Sequence, residues 1–121
     1  MRLDGKVAIV TASTRGIGLA CTQRLAREGA TVYMAARNME RAENRAKELN
    51  DEGCNVKTVY NDATEKETYL SMVEEVIKNE GKIDILVNNF GTSNPQKDRD
   101  IKTTEYEEYI RTIDTNLASV F

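Results

Sequence analysis

The segment Thr11-Ala12-Ser13-Thr14-Arg15-Gly16-Ile17-Gly18 constrains this chain more than any other. It follows an apolar run, Val7-Ala8-Ile9-Val10, and opens a stretch in which Ile17, Cys21 and Leu25 recur every four residues. That order reads as a buried strand, a glycine-bearing turn and then a helix. A helix starting there leaves its first N–H groups without intrahelical partners and turns its positive end toward the loop, which suits a phosphate. Gly16 and Gly18 carry no Cβ, so the backbone can approach a ligand closely. Two glycines in a loop also serve plain turn chemistry, and the segment alone leaves both readings open.

A chain of 121 residues is long enough for one domain with its own core and too short for two. Hydrophobic residues make up 40% and charged residues 31%, the balance of a soluble globular domain and not of a disordered one. A net charge of −3 argues against a nucleic-acid partner or an anionic membrane surface. No apolar run approaches membrane-spanning length, and the start, Met1-Arg2-Leu3-Asp4-Gly5-Lys6, carries an acid and leads into a strand, unlike a signal peptide. Cys21 and Cys54 share no metal-ligand spacing and the chain has no His, which excludes a zinc site and a His-dependent triad. No metal site is expected. The two cysteines read as ordinary thiols in a reducing cytoplasm, the expected location.

Apolar, β-rich runs then alternate with helical patterns, without repeats or low-complexity linkers. Gly29 stops the first helix and Thr31-Val32-Tyr33-Met34-Ala35 reads as a second strand. Asn38 can cap a helix with Met39, Ala42, Ala46 and Leu49 on one face, ending near Gly53. Val56 to Tyr60 reads as a third strand. Thr64 and Glu67 form a capping box for a helix with Leu70, Val73 and Ile77 facing inward, stopped by Gly81. Ile83-Asp84-Ile85-Leu86-Val87 is the expected fourth strand, and Asn88 to Arg99 a polar loop holding the only proline, Pro95. Thr104 and Glu107 begin a last helix with Tyr106, Ile110, Ile113, Leu117 and Phe121 on one side. Strands separated by helices need right-handed crossovers, so the expected fold is α/β, a doubly wound parallel sheet covered on both faces.

With these pieces in order, the chain resembles the short-chain dehydrogenases/reductases. Thr11 to Gly18 resembles their TGxxxGxG turn, and Asn88-Asn89-Phe90-Gly91 their NNxG signature after the fourth strand. Asp62-Ala63, after the third strand, matches the family's adenine-contacting Asp; plain turn chemistry is the other reading of Asp62. Asp114-Thr115-Asn116-Leu117 matches the helix segment that carries the family's catalytic Asn, here Asn116. The resemblance covers essentially the whole chain. It implies a Rossmann-like sheet in the order 3-2-1-4 and a nicotinamide cofactor held by Thr11, Ser13, Thr14, Arg15, Gly16, Ile17, Gly18, Arg37, Asn38, Asp62, Ala63, Asn88, Asn89, Phe90 and Gly91. Asn88 is expected to tie its strand end to a neighbour, and Asn116 to hold a water relay.

Two residues depart from the pattern. Ala12 stands at the family's first glycine, tolerable if its φ is negative, and Phe90 replaces a small residue beneath the nicotinamide ribose. A larger departure is the absence of a Tyr-x-x-x-Lys pair. None of Tyr33, Tyr60, Tyr69, Tyr106 or Tyr109 has a Lys four residues later, and the last helix lacks a stop signal. The expectation is that the 121 residues form the cofactor-binding half of a longer enzyme and are inactive alone.

Charge points to the cofactor. In NAD-binding folds of this kind an acid about 20 residues past the glycines bonds the ribose 2′-hydroxyl. Here that place holds Ala36, followed by Arg37, while Arg15 lies in the turn itself. Two guanidiniums and no acid suit a 2′-phosphate, and so NADP. The implied reaction is hydride exchange between NADP(H) and a secondary alcohol or ketone. The wording from Asn88 to Pro95 looks most like members that act on hydroxysteroids, such as bile acids. Lys97-Asp98-Arg99-Asp100 reads as a solvated loop beside the site mouth. The family commonly pairs through the last helix, so a homo-oligomer is expected, with no nucleic-acid or membrane partner. A phospho-accepting receiver domain is another doubly wound possibility, but Ser13-Thr14-Arg15 stands where it would need acids for Mg²⁺. A non-catalytic NADP-binding protein remains the third reading.

Overall fold

A computed structural model describes residues 2–89. Within them the element order is β1 (Val7–Thr11), α1 (Gly16–Arg27), β2 (Thr31–Ala36), α2 (Met39–Asp51), β3 (Asn55–Tyr60), α3 (Glu67–Glu80) and β4 (Ile85–Val87). The expected last helix, Phe90, Gly91 and Asn116 lie outside the described residues.

All three pairings are parallel and the sheet order is β3-β2-β1-β4, the order expected. Alternate residues of the strands feed two cores. Ala8, Val10, Val32, Met34 and Val56 pack with Ala26 of α1 and with Ala46 and Leu49 of α2. Val7, Ile9, Tyr33, Ala35 and Val59 pack with Met72 and Val76 of α3. One face of the sheet therefore carries α1 and α2 and the other carries α3. Every residue of β1 is buried, as a central strand covered on both faces requires. Burying side chains such as Ile9, Met34 and Val32 contributes about 1.5–3 kcal/mol each.

Two local expectations fail. Leu70, Val73 and Ile77 do not face inward; all are exposed, Leu70 by 64%, and α3 buries Thr68, Met72 and Val76 instead. Thr68 also takes the place expected of Thr64. Its buried hydroxyl accepts from the Asp62 N–H at 3.0 Å and lies 2.7 Å from the Glu65 carbonyl, fastening the first turn of α3. Thr64 is not a helix cap, because its N–H and hydroxyl both donate to Asp62 Oδ1 at 2.9 and 2.7 Å. In α1, Ile17 is 73% exposed, and the buried stripe is Gly18, Thr22 and Ala26.

β4 starts two residues later than expected. Asp84 pairs with β1 through its own N–H, donated to the Val7 carbonyl at 2.8 Å, and through its carboxylate, which accepts from the Val7 N–H at 2.8 Å. A side-chain oxygen stands in for a strand carbonyl there, so regular pairing begins at Ile85. At the opposite edge, the amide of Asn50 bonds both backbone groups of Val56: Oδ1 accepts from its N–H at 2.8 Å and Nδ2 donates to its carbonyl at 2.9 Å.

Candidate functional site

The carboxyl ends of four parallel strands meet along one side of the sheet, and the chain reverses its winding between β1 and β4. Ligands of open α/β sheets bind at such a reversal, outside the strand ends. The residues gathered here are the β1–α1 turn, Arg37 and Asn38 after β2, Asn61 to Ala63 after β3, and Asn88 and Asn89 after β4.

Thr11 joins two of these ends. Its hydroxyl donates to the Val87 carbonyl at 3.3 Å and accepts from the Asn89 N–H at 3.0 Å. Asn89 then reaches into the turn, its Nδ2 donating to the Ala12 carbonyl at 3.4 Å. The tie expected of Asn88 is therefore made by Asn89, and Asn88 is exposed. Gly18 shows why the turn needs a glycine. A Cβ there would collide with the Ala12 carbonyl and come within 2.7 Å of Asn89 Nδ2. Gly16 takes φ +60°, a left-handed value natural to glycine.

Ala12 has φ +49°, so the condition under which an alanine was tolerable is not met. A side chain in that region costs about 1–2 kcal/mol. Beside it, Ser13 is 0% exposed and its hydroxyl has no hydrogen-bond partner. Such an orphaned group costs about 1–3 kcal/mol when buried.

Helix α1 begins with no side-chain cap at Arg15 and no acid in its first turn. Its leading N–H groups and positive dipole end thus remain for an anion. Arg15 and Arg37 are exposed and form no ion pair among the described residues. Ala36 ends β2 buried, offering no acid to a ribose hydroxyl. These features fit a dinucleotide: a close backbone cradle for phosphates, with cations and no carboxylate at the end of β2.

Asn38 spends its side-chain oxygen on capping α2, accepting from the Arg41 N–H at 3.0 Å. Asp62 holds Thr64 through Oδ1, and those two hydrogen bonds, with help from the Arg37 charge, keep its carboxyl below the usual aspartate value. Ala63 is buried, and Thr14 is half-buried in the turn. Next to Asp62, the Tyr60 hydroxyl donates to Glu65 Oε2 at 3.2 Å. Partial desolvation and the Glu65 carboxylate raise the phenol's pKa. Sequence reasoning passed over both Asn61 and Thr68. Asn61 is buried, its N–H extends the ladder to the Ala36 carbonyl, and its Nδ2 donates to the Thr68 hydroxyl at 3.3 Å. No group of three or more metal-binding side chains occurs among the described residues, nor does a helix long and apolar enough to cross a membrane.

The chain belongs to the short chain dehydrogenase family, whose model matches residues 6–121. Among particular relatives it is 49% identical over 120 residues to a 7α-hydroxysteroid dehydrogenase of Clostridium sardiniense, covering 99% of this chain and 46% of that one. A 7α-hydroxysteroid dehydrogenase of Paraclostridium sordellii is 44% identical, with 99% and 45% covered. The chain thus spans about half the length of the curated relatives it matches. Among solved structures, a short chain dehydrogenase from Mycobacterium smegmatis superposes with TM-score 0.89 at 30% identity, covering 98% of this chain and 48% of that one. An actinorhodin polyketide ketoreductase solved with NADPH gives 0.85 at 32% identity, covering 96% and 43%.

Proposed function

We propose that this chain is the cofactor-binding half of an NADP-dependent oxidoreductase that exchanges hydride with a secondary alcohol or ketone on a steroid, a bile acid being the expected substrate. The observation that carries the cofactor choice is the end of β2, where a buried Ala36 stands beside an exposed Arg37 that forms no ion pair among the described residues. An acid in that place would bond a 2′-hydroxyl and repel a 2′-phosphate; Arg37 and Arg15 do the reverse. The substrate class rests on the two 7α-hydroxysteroid dehydrogenase relatives, and the NADPH-bound ketoreductase supports the cofactor.

The nicotinamide supplies the hydride chemistry when bound. The turn from Thr11 to Gly18 would hold the diphosphate on the N-terminus of α1, Asp62 and Ala63 would border the adenine, and by the family resemblance the Asn88–Gly91 segment would border the ribose of the nicotinamide. By the family resemblance, Asn116 would hold the water relay that feeds protons to the family's Tyr and Lys. None of the five tyrosines here has a Lys four residues later, so that pair and the substrate-holding Ser belong to the other half of the enzyme. The enzyme works in the cytoplasm as a homo-oligomer.

Titrating the 121-residue chain with NADPH and NADH, and following the fluorescence of each, tests this reading. NADPH is expected to bind at least tenfold tighter; equal affinity removes the NADP assignment, and binding of neither removes the function. Steady-state NADPH formation from a bile acid by this chain alone would show that the proton-transfer groups had been placed wrongly.

A further inference from the structure

Asp62 follows β3 directly after its last ladder bond, the Asn61 N–H donating to the Ala36 carbonyl at 3.1 Å, and so stands beside the end of β2. Two threonines hold it. Its backbone N–H donates to the buried Thr68 hydroxyl at 3.0 Å, which fixes the main chain. The Thr64 N–H and hydroxyl donate to Oδ1 at 2.9 and 2.7 Å, which fixes the carboxylate. Those two bonds, more than the nearby Arg37 charge, hold the carboxyl below its ordinary value, so it is ionised and only accepts. Oδ2 has no hydrogen bond among the described residues and is not enclosed. One oxygen is committed inside the loop, and the other is open, charged and fixed in direction by the first. Thr64 is exposed, and the first turn of α3 is fastened by Thr68 instead.

We propose that Thr64 is a positioning residue for base recognition: by holding Oδ1 it presents Oδ2 to the exocyclic amino group of adenine, so that the site selects a 6-amino purine over a 6-oxo one. This role rests on the proposed cofactor site, and adds to it the residue that orients Asp62 and the base that Asp62 refuses. Adenine carries a donor at its 6-position, whereas hypoxanthine carries an acceptor oxygen there. Against a fixed carboxylate that oxygen is repelled and Oδ2 is left without a donor, the mismatch that a site built around a hydrogen bond tolerates least. A carboxylate free to rotate would turn away and lose the distinction.

The test compares NADPH with its deamino analogue, in which hypoxanthine replaces adenine, by calorimetric titration of the 121-residue chain and its variants. Wild type is expected to favour NADPH by roughly tenfold or more. Thr64→Val keeps the shape and the N–H bond but drops the hydroxyl. It should reduce that preference about threefold or more by weakening NADPH alone, with the melting temperature little changed and Thr64→Ser restoring the preference. In Asp62→Asn the Thr64 donors keep the amide oxygen and turn Nδ2 outward, so the preference should swing toward the 6-oxo base. Equal weakening of both cofactors by Thr64→Val, an unchanged preference, or an Asn variant that still favours the amino base overturns the role of Thr64. A Thr64→Val chain that does not fold gives the hydroxyl to the fold and overturns it as well. Wild type that binds the two cofactors alike shows that Asp62 does not read the base, and overturns it while leaving NADP binding in place. A chain that binds neither removes the proposed function and this role together.

Discussion

The Asn89 N–H donates to the Thr11 hydroxyl at 3.0 Å, across the gap where β1 and β4 part. Since that hydroxyl also donates to the Val87 carbonyl, one oxygen fixes the spacing of the two strand ends that flank the proposed cofactor cleft. Thr11→Val keeps the shape and removes both bonds, leaving a donor and an acceptor unsatisfied. The expected loss is about 1–3 kcal/mol of stability, read as a lower urea midpoint with an unchanged slope. Thr11→Ser should recover most of it. A Val variant as stable as wild type would show that the strand ends are held by other contacts.

Ala12→Gly relieves the left-handed alanine. The gain, about 1–2 kcal/mol, exceeds the extra freedom glycine has in the unfolded chain, about 0.4–1 kcal/mol. A rise in melting temperature of about 4 °C follows for a domain of this size. A fall would mean that the turn needs the methyl group for packing.

Arg15→Ala and Arg37→Ala should each weaken NADP binding by about 1–3 kcal/mol while leaving NAD nearly unchanged, since only NADP carries the 2′-phosphate. Parallel titrations with the two cofactors measure this. Equal losses for both would reassign the arginines to the diphosphate or to folding.

Asp84 predicts an acid limb of stability. The Val7 N–H, and then the Lys82 ammonium, hold its carboxyl below the ordinary value of 3.8. A carboxyl whose folded pKa is depressed stabilises the fold fully above its unfolded value, and the contribution fades as pH falls from there through the folded one. Melting temperature should therefore drop below about pH 4, and Asp84→Asn should flatten that part of the curve. Identical acid limbs in wild type and variant would place the titrating group elsewhere, with Asp62, shifted the same way, the next to replace.

Strand and helix positions were legible because apolar runs and glycine stops are local signals. Which stripe of α3 turns inward was not, since the helix carries apolar residues on two sides. Leu70, Val73 and Ile77 form one series; Met72 and Val76 continue another that starts at a polar residue, Thr68. Thr68 earns its burial from bonds to the Asp62 and Asn61 loop, which no periodicity announces. The start of β4 was hidden for a related reason, a carboxylate acting as backbone. At the site, the motif named the turn, but only the backbone angle of Ala12 distinguished its cost from that of a glycine. The choice of Asn89 over Asn88 as the tie depends on which side of β1 each residue reaches, a property of register and not of composition.

The Asn50 amide on Val56 gives the sheet a direction of growth. A neighbouring strand arriving at β3 would find the backbone of Val56 already taken by a side chain, whereas β4 has no described partner on its outer side and leaves Leu86 exposed. A strand seeking to extend the sheet at β3 would therefore meet a side-chain plug at Val56 before it could pair along the start of that edge.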